Sequence, residues 1–117
     1  MATFADIEQV KQQGLVILDE QIMDAIGHNN AVASEAERQE MDEQIHDLMQ
    51  RRADLFRLAV TAEENSPQLE AALQGLESAT DDMNEAAGRM KATSEFLNNA
   101  AALLGAADQA ITALQQA

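Results

Sequence analysis

Apolar residues recur along most of the chain three and four positions apart, the spacing of a helix that buries one face. In the first segment Phe4, Ile7, Val10, Leu18, Ile22 and Ile26 keep that period. The run Leu15-Val16-Ile17-Leu18 widens the stripe, and alone it would also suit a buried strand. Gln12-Gln13 before it and Asp19-Glu20-Gln21 after it carry the helical period through, which favours helix. A second segment is seamed by Met41, Ile45, Leu48, Leu55, Ala59 and Ala62, and widened by Met49, Phe56 and Leu58. Arg52 falls on this seam; its stem is expected along the core, with the guanidinium reaching an acid or the surface. A buried ion pair that fixes register, or a site that binds a ligand carboxylate, is the sharper alternative.

The third segment has the strictest period. Leu69, Leu76, Met83, Met90, Leu97, Leu104 and Ile111 recur every seven residues. Beside them run Leu73, Thr80, Ala87, Ser94, Ala101 and Asp108, and on the other flank Ala72, Ala79, Ala86, Thr93, Ala100, Ala107 and Leu114. One large side chain per heptad bordered by small ones suits closely packed, coiled-coil-like helices. In composition and period this segment resembles coiled-coil assembly proteins, signalling rods and secretion chaperones, without a diagnostic motif.

Turn signals punctuate the pattern twice, at Gly27-His28-Asn29-Asn30 and at Glu64-Asn65-Ser66-Pro67. Gly27 suits the left-handed position past a helix end, and Asn30 or Ser34 can cap the next helix. Ser34 with Glu37, and less strongly Thr3 with Asp6, have capping-box spacing. Ser66 and Pro67 suit an N-cap and a first helical residue. The prediction is one all-α domain over residues 1–117, with helices at about 3–27, 31–64 and 66–115. Its architecture is an antiparallel three-helix hairpin or bundle with a long C-terminal coiled-coil-like helix. Gly75, Gly88 and Gly105 lie off the ridge and do not reset its phase. The alternative is a four-helix bundle with a break near Asn98-Asn99.

An unbroken third helix would be roughly 70 Å long, and the shorter helices could cover it only to about Leu97. Leu104, Ile111 and Leu114 would then overhang, each forgoing ~1.5–3 kcal/mol of burial. A partner, either a second copy in a homodimer or another protein, is therefore expected on Met90, Leu97, Leu104, Ile111 and Leu114.

Composition narrows the function. Seven bases against 21 acids give a net charge of -14. Acids exceed bases by four over residues 1–30, by five over 31–65 and by five over 66–117, so acidity is spread along the whole chain. A phosphate backbone would be repelled, which argues against nucleic-acid binding. The absence of Cys removes disulfides and thiol chemistry. The N-terminus lacks the basic and apolar regions of a secretory signal, and no apolar run approaches the ~20 residues of a membrane span. Residues 92–117 contain no Lys or Arg to hold anionic lipid. A cytoplasmic protein with no membrane partner is expected.

Catalytic and metal-binding patterns are sparse. Glu43 and His46 form one Glu-x-x-His, where a di-iron bundle needs two such motifs and further glutamates. The acids of Asp81-Asp82-Met83-Asn84-Glu85 lack the glycine and alternating ligands of a calcium loop. No nucleophile elbow, phosphate loop or dinucleotide fingerprint occurs. The expectation is a non-enzyme with no catalytic residues, cofactor or metal. Glu35, Glu37, Glu40, Asp42, Glu43 and Asp47 form an acidic surface on the second helix, suited to its dipole and to steering a cationic partner. The favoured function is an acidic protein–protein interaction module, such as an immunity-type neutraliser or a chaperone of a basic protein. A self-associating coiled-coil spacer is the alternative, and a metal-binding bundle centred on Glu43 and His46 is the third reading.

Overall fold

The computed structural model describes residues 1–29, 34–89 and 96–117. Four helices account for most of these: α1 (Phe4–Asn29), α2 (Glu35–Arg57), α3 (Pro67–Arg89) and α4 (Phe96–Gln115). No strand occurs among the described residues. The molecule is an all-helical bundle.

Local chemistry sets three of the helix starts. At α1 the Asp6 amide donates to Thr3 Oγ1 (3.2 Å) and the Thr3 amide donates to Asp6 Oδ2 (3.0 Å). At α2 the Glu37 amide donates to Ser34 Oγ. At α3 Pro67 is the first helical residue, and the Leu69 amide donates to Ser66 Oγ (3.1 Å). Each cap satisfies an amide that the first turn leaves open, worth about 1 kcal/mol. Asn30, the other candidate cap of α2, lies outside the described residues.

Three predicted boundaries are corrected. Gly27 does not end the first helix: α1 runs on to Asn29, and no glycine among the described residues has a positive φ. The second helix stops at Arg57 instead of residue 64, so Ala59 and Ala62 do not extend its seam. Residues 58–66 instead cross the end of the bundle, where their polar groups find tertiary partners. Lys11 Nζ donates to the Leu58 carbonyl (3.0 Å), and the Thr61 and Ala62 amides both donate to the Ala117 carbonyl. The Asn65 amide donates to the Ala2 carbonyl (2.8 Å), and the Phe4 amide to Glu64 Oε2 (2.9 Å). Asn65 itself takes a left-handed φ of 63°, a region asparagine tolerates better than most residues.

The third correction concerns the long helix. Segment 66–115 forms two helices, α3 and α4, so the four-helix alternative holds, but Asn98-Asn99, where its break is expected, lie within α4. Residues 90–95, including Met90 of the ridge, lie outside the described residues, and Asn98-Asn99 belong to the first turn of α4. The two helices are antiparallel. Gln68 Nε2 donates to the Gln116 carbonyl (2.7 Å), and a Cβ on Gly75 would stand 3.0 Å from the Ala113 Cβ.

The remaining contacts order the bundle. Lys11–Leu58 and Asp19–Arg52 make α1 and α2 antiparallel. Gly14 beside Thr80 and Met83 makes α1 and α3 neighbours, with the Met83 methyl in the space a Cβ there would take; they are parallel because α1 opposes α2, α2 runs with α4 and α4 opposes α3. Arg51–Asp108 and Thr61–Ala117 make α2 and α4 parallel. Around the square the order is α1, α2, α4, α3, with α2 and α3 on a diagonal. The body measures 52 × 21 × 17 Å with a radius of gyration of 15.2 Å. That is longer than the ~13 Å radius of a compact chain this size.

Leu18, Leu48, Leu55, Leu69, Leu76, Met83, Leu103 and Leu114 are fully buried at the centre. In α3 the ridge behaves as predicted, with Leu69, Leu76 and Met83 buried among Ala72, Ala79 and Ala86. In α4 the buried row is Ala100, Leu103, Ala107, Ala110 and Leu114, while Leu104 and Ile111 are only partly buried against it. The expected overhang does not exist, because α4 lies back along α3.

Candidate protein-binding face

The charged side chains are distributed unevenly by the order of the helices. Arg38, Arg51, Arg52 and Arg57 all belong to α2. The acids Glu70, Glu77, Asp81, Asp82 and Glu85 belong to α3, against Arg89 alone. Because α2 and α3 are diagonal, the arginines of one cannot screen the acids of the other. Arg51 instead meets Asp108 on α4 (3.0 Å), and Arg52 meets Asp19 on α1 (2.9 Å). Arg52 also stands 5.3 Å from the Phe56 ring, as its expected position along the core with an outward head implies. Arg89 bonds Glu85 one turn away (2.6 Å).

Lys11, the one lysine in α1, is turned away from α3 as well. It is 7% exposed, with its ammonium on the Leu58 carbonyl, 3.9 Å from Glu8 and 6.0 Å from the centre of the Phe56 ring. It therefore anchors the loop that closes α2.

The face between α1 and α3 is left with acids. A groove runs along it as two hollows of about 330 and 460 Å³ that share Gln13, Thr80 and Asp81. The first adds Asp6, Gln9, Val10, Leu73 and Glu77; the second adds Gln12, Val16, Ile17 and Asn84. Among the described residues, no lysine or arginine lines either hollow. Val10, Ile17 and Leu73 are half-buried, and Val16 is 50% exposed. Thr80 is 6% exposed, and its hydroxyl has no hydrogen-bond partner; the oxygen lies 3.7 Å from where a Cβ on Gly14 would stand.

The residues singled out from sequence lie elsewhere. Leu114, expected to meet a partner, is 1% exposed and belongs to the core. Leu104 and Ile111 pack on that core, Met90 is outside the described residues, and the Leu97 side chain is too. Leu104, Ile111 and Leu114 do not overhang as an open surface, because the helix that was to expose them folds back. Glu35, Glu37, Glu40, Asp42 and Glu43 are exposed on the first half of α2, and Asp47 is half-buried. His46 is exposed beside them, and among the described residues no three His, Cys, Asp or Glu side chains come together as a metal site. The sequence pattern places Thr80 beside the packing ridge and Asp81 in an acidic run that lacks the features of a calcium loop. Their meeting with Gln13 in a groove depends on α1 lying beside α3.

No helix among the described residues is long and apolar enough to cross a membrane. Comparison with protein-family models, with curated proteins and with solved structures finds no match to this chain.

Proposed function

We propose that this chain is a non-enzymatic helical interaction module of the cytoplasm that receives a basic protein on its α1/α3 face, as neutraliser or chaperone of that partner. The observation that carries this reading is a groove lined by Asp6, Glu77 and Asp81, with no base lining it among the described residues. Uncompensated acids raise the local concentration of a cationic partner and disfavour acidic ones. The apolar positions between them supply surface whose burial can hold the complex together. A self-associating rod, and the homodimer with it, rested on an uncovered tail; with α4 lying along α3, neither is carried forward. The metal reading needs a third ligand beside Glu43 and His46, which are exposed on α2, and among the described residues no such group of three comes together.

The test is affinity capture from the native host with the wild-type chain and Glu77→Lys/Asp81→Lys in parallel. Both positions are exposed, so the variant should keep its helical circular dichroism. A protein of high isoelectric point should be retained by the first and lost from the second. Equal retention by both, or recovery of the chain alone, overturns the reading.

A further inference from the structure

We infer that the α1/α3 groove seats a short amphipathic basic helix of the partner, laid along the bundle as a fifth helix. This rests on the reading above for the sign of the partner's charge and adds its shape. The lining residues run from Asp6 to Ile17 on α1 and from Leu73 to Asn84 on α3. Eleven steps at about 1.5 Å make a trough roughly 17 Å long, or three helical turns. Its walls are two parallel helices, whose ridges accept the side-chain rows of a third.

Apolar and acidic positions share the trough with uncharged polar ones. Val10, Ile17 and Leu73 offer a half-buried floor, and Val16 a more open one. Asp6 stands on one wall, and Glu77 and Asp81 on the other. An occupant with Leu, Ile or Val at i, i+3 or i+4, and i+7 would cover the floor, with Lys or Arg on either flank meeting the acids. A helix suits better than an extended segment, because it satisfies its own backbone amides and the all-helical walls offer no sheet edge. Thr80, 6% exposed, lines both hollows and joins them into one trough. A second copy is the wrong occupant, since each chain carries a net charge of -14. An anionic lipid surface is repelled for the same reason.

The probe is a fluorescently labelled Leu/Lys peptide with leucines at helical spacing, compared with a scrambled peptide of identical composition. Titration against the full chain should show the patterned peptide binding about tenfold or more tighter, with helicity gained on binding. Glu77→Lys/Asp81→Lys should weaken it by about tenfold or more. Glu35→Lys/Glu40→Lys on α2, with the same change in charge, should leave it within about twofold once salt screens distant charges. Val16→Gln should weaken it with no change in charge. Equal binding of both peptides, or equal weakening by both charge pairs, overturns the helix seat while leaving a basic partner in place. If neither peptide binds, the seat is also overturned, and the capture experiment then decides the partner reading separately.

Discussion

Alanine at Gly75 and at Gly105, introduced one at a time, separates helix propensity from the packing of α3 on α4. Both glycines are interior to helices, where alanine is favoured by ~1 kcal/mol. At Gly105 a Cβ meets nothing within 4 Å, so the whole gain should appear. About 1 kcal/mol corresponds to a rise of roughly 4 °C in Tm for a chain of this size. At Gly75 the new Cβ would stand 3.0 Å from the Ala113 Cβ. Carbon atoms prefer about 3.5–4.0 Å, and a Cβ fixed on a helix backbone cannot swing aside. The helices must part, at an overpacking cost of about 1–3 kcal/mol. The expected balance for Gly75→Ala is therefore between no change and a loss of about 2 kcal/mol.

The assay is urea denaturation followed by far-ultraviolet circular dichroism, since the chain has no Trp or Tyr to report by fluorescence. An unchanged denaturant slope would show that the variants alter stability and not the extent of unfolding. Ala113→Gly closes the cycle: costly alone, it should be less costly in the Gly75→Ala background, with a coupling of about 1 kcal/mol. If Gly75→Ala stabilises as much as Gly105→Ala and the coupling is zero, the close antiparallel approach of α3 and α4 is wrong.

Further outcomes follow from single residues. Thr80→Val should raise stability by about 1 kcal/mol, because it replaces a buried, unpartnered hydroxyl by a methyl group; a loss in thermal melting would mean that the hydroxyl is paired. Leu48→Ala, at the fully buried centre, should cost about 2–5 kcal/mol in urea titration, and a cost below about 1 would place Leu48 outside the core. Ser66→Ala removes the α3 cap and should cost about 1 kcal/mol, with Ser66→Thr retaining most of it. Arg51→Gln breaks a partly exposed pair with Asp108 and should change stability by less than about 1 kcal/mol, the difference shrinking as salt is added.

Caps and packing faces were the legible part of this chain. The Thr3–Asp6 box, the Ser34 cap and the Ser66-Pro67 start are contacts within a few residues, and all three form. The seam of α3 was legible because the same stripe faces the core whatever lies opposite. The ridge also kept its seven-residue phase from Leu69 to Ile111, and that continuity concealed a reversal of direction. Both helices of a hairpin need an apolar stripe, and an intervening segment that preserves the count leaves no mark on the period. Consequently Leu104 and Ile111 held the large-residue positions, yet Leu103 and Leu114 became the fully buried ones once α4 rotated onto α3.

The groove was decided a level higher still. Residues within one helix determine which face is apolar and how many charges it carries, because those are local properties. Which helix stands beside which is set by how four faces close around one core. Placing α2 diagonally from α3 kept the arginines away from Glu77 and Asp81. The linear order determined an acidic, all-helical chain; only the packing decided which acids would line a groove away from the arginines of α2, because screening depends on distance through space.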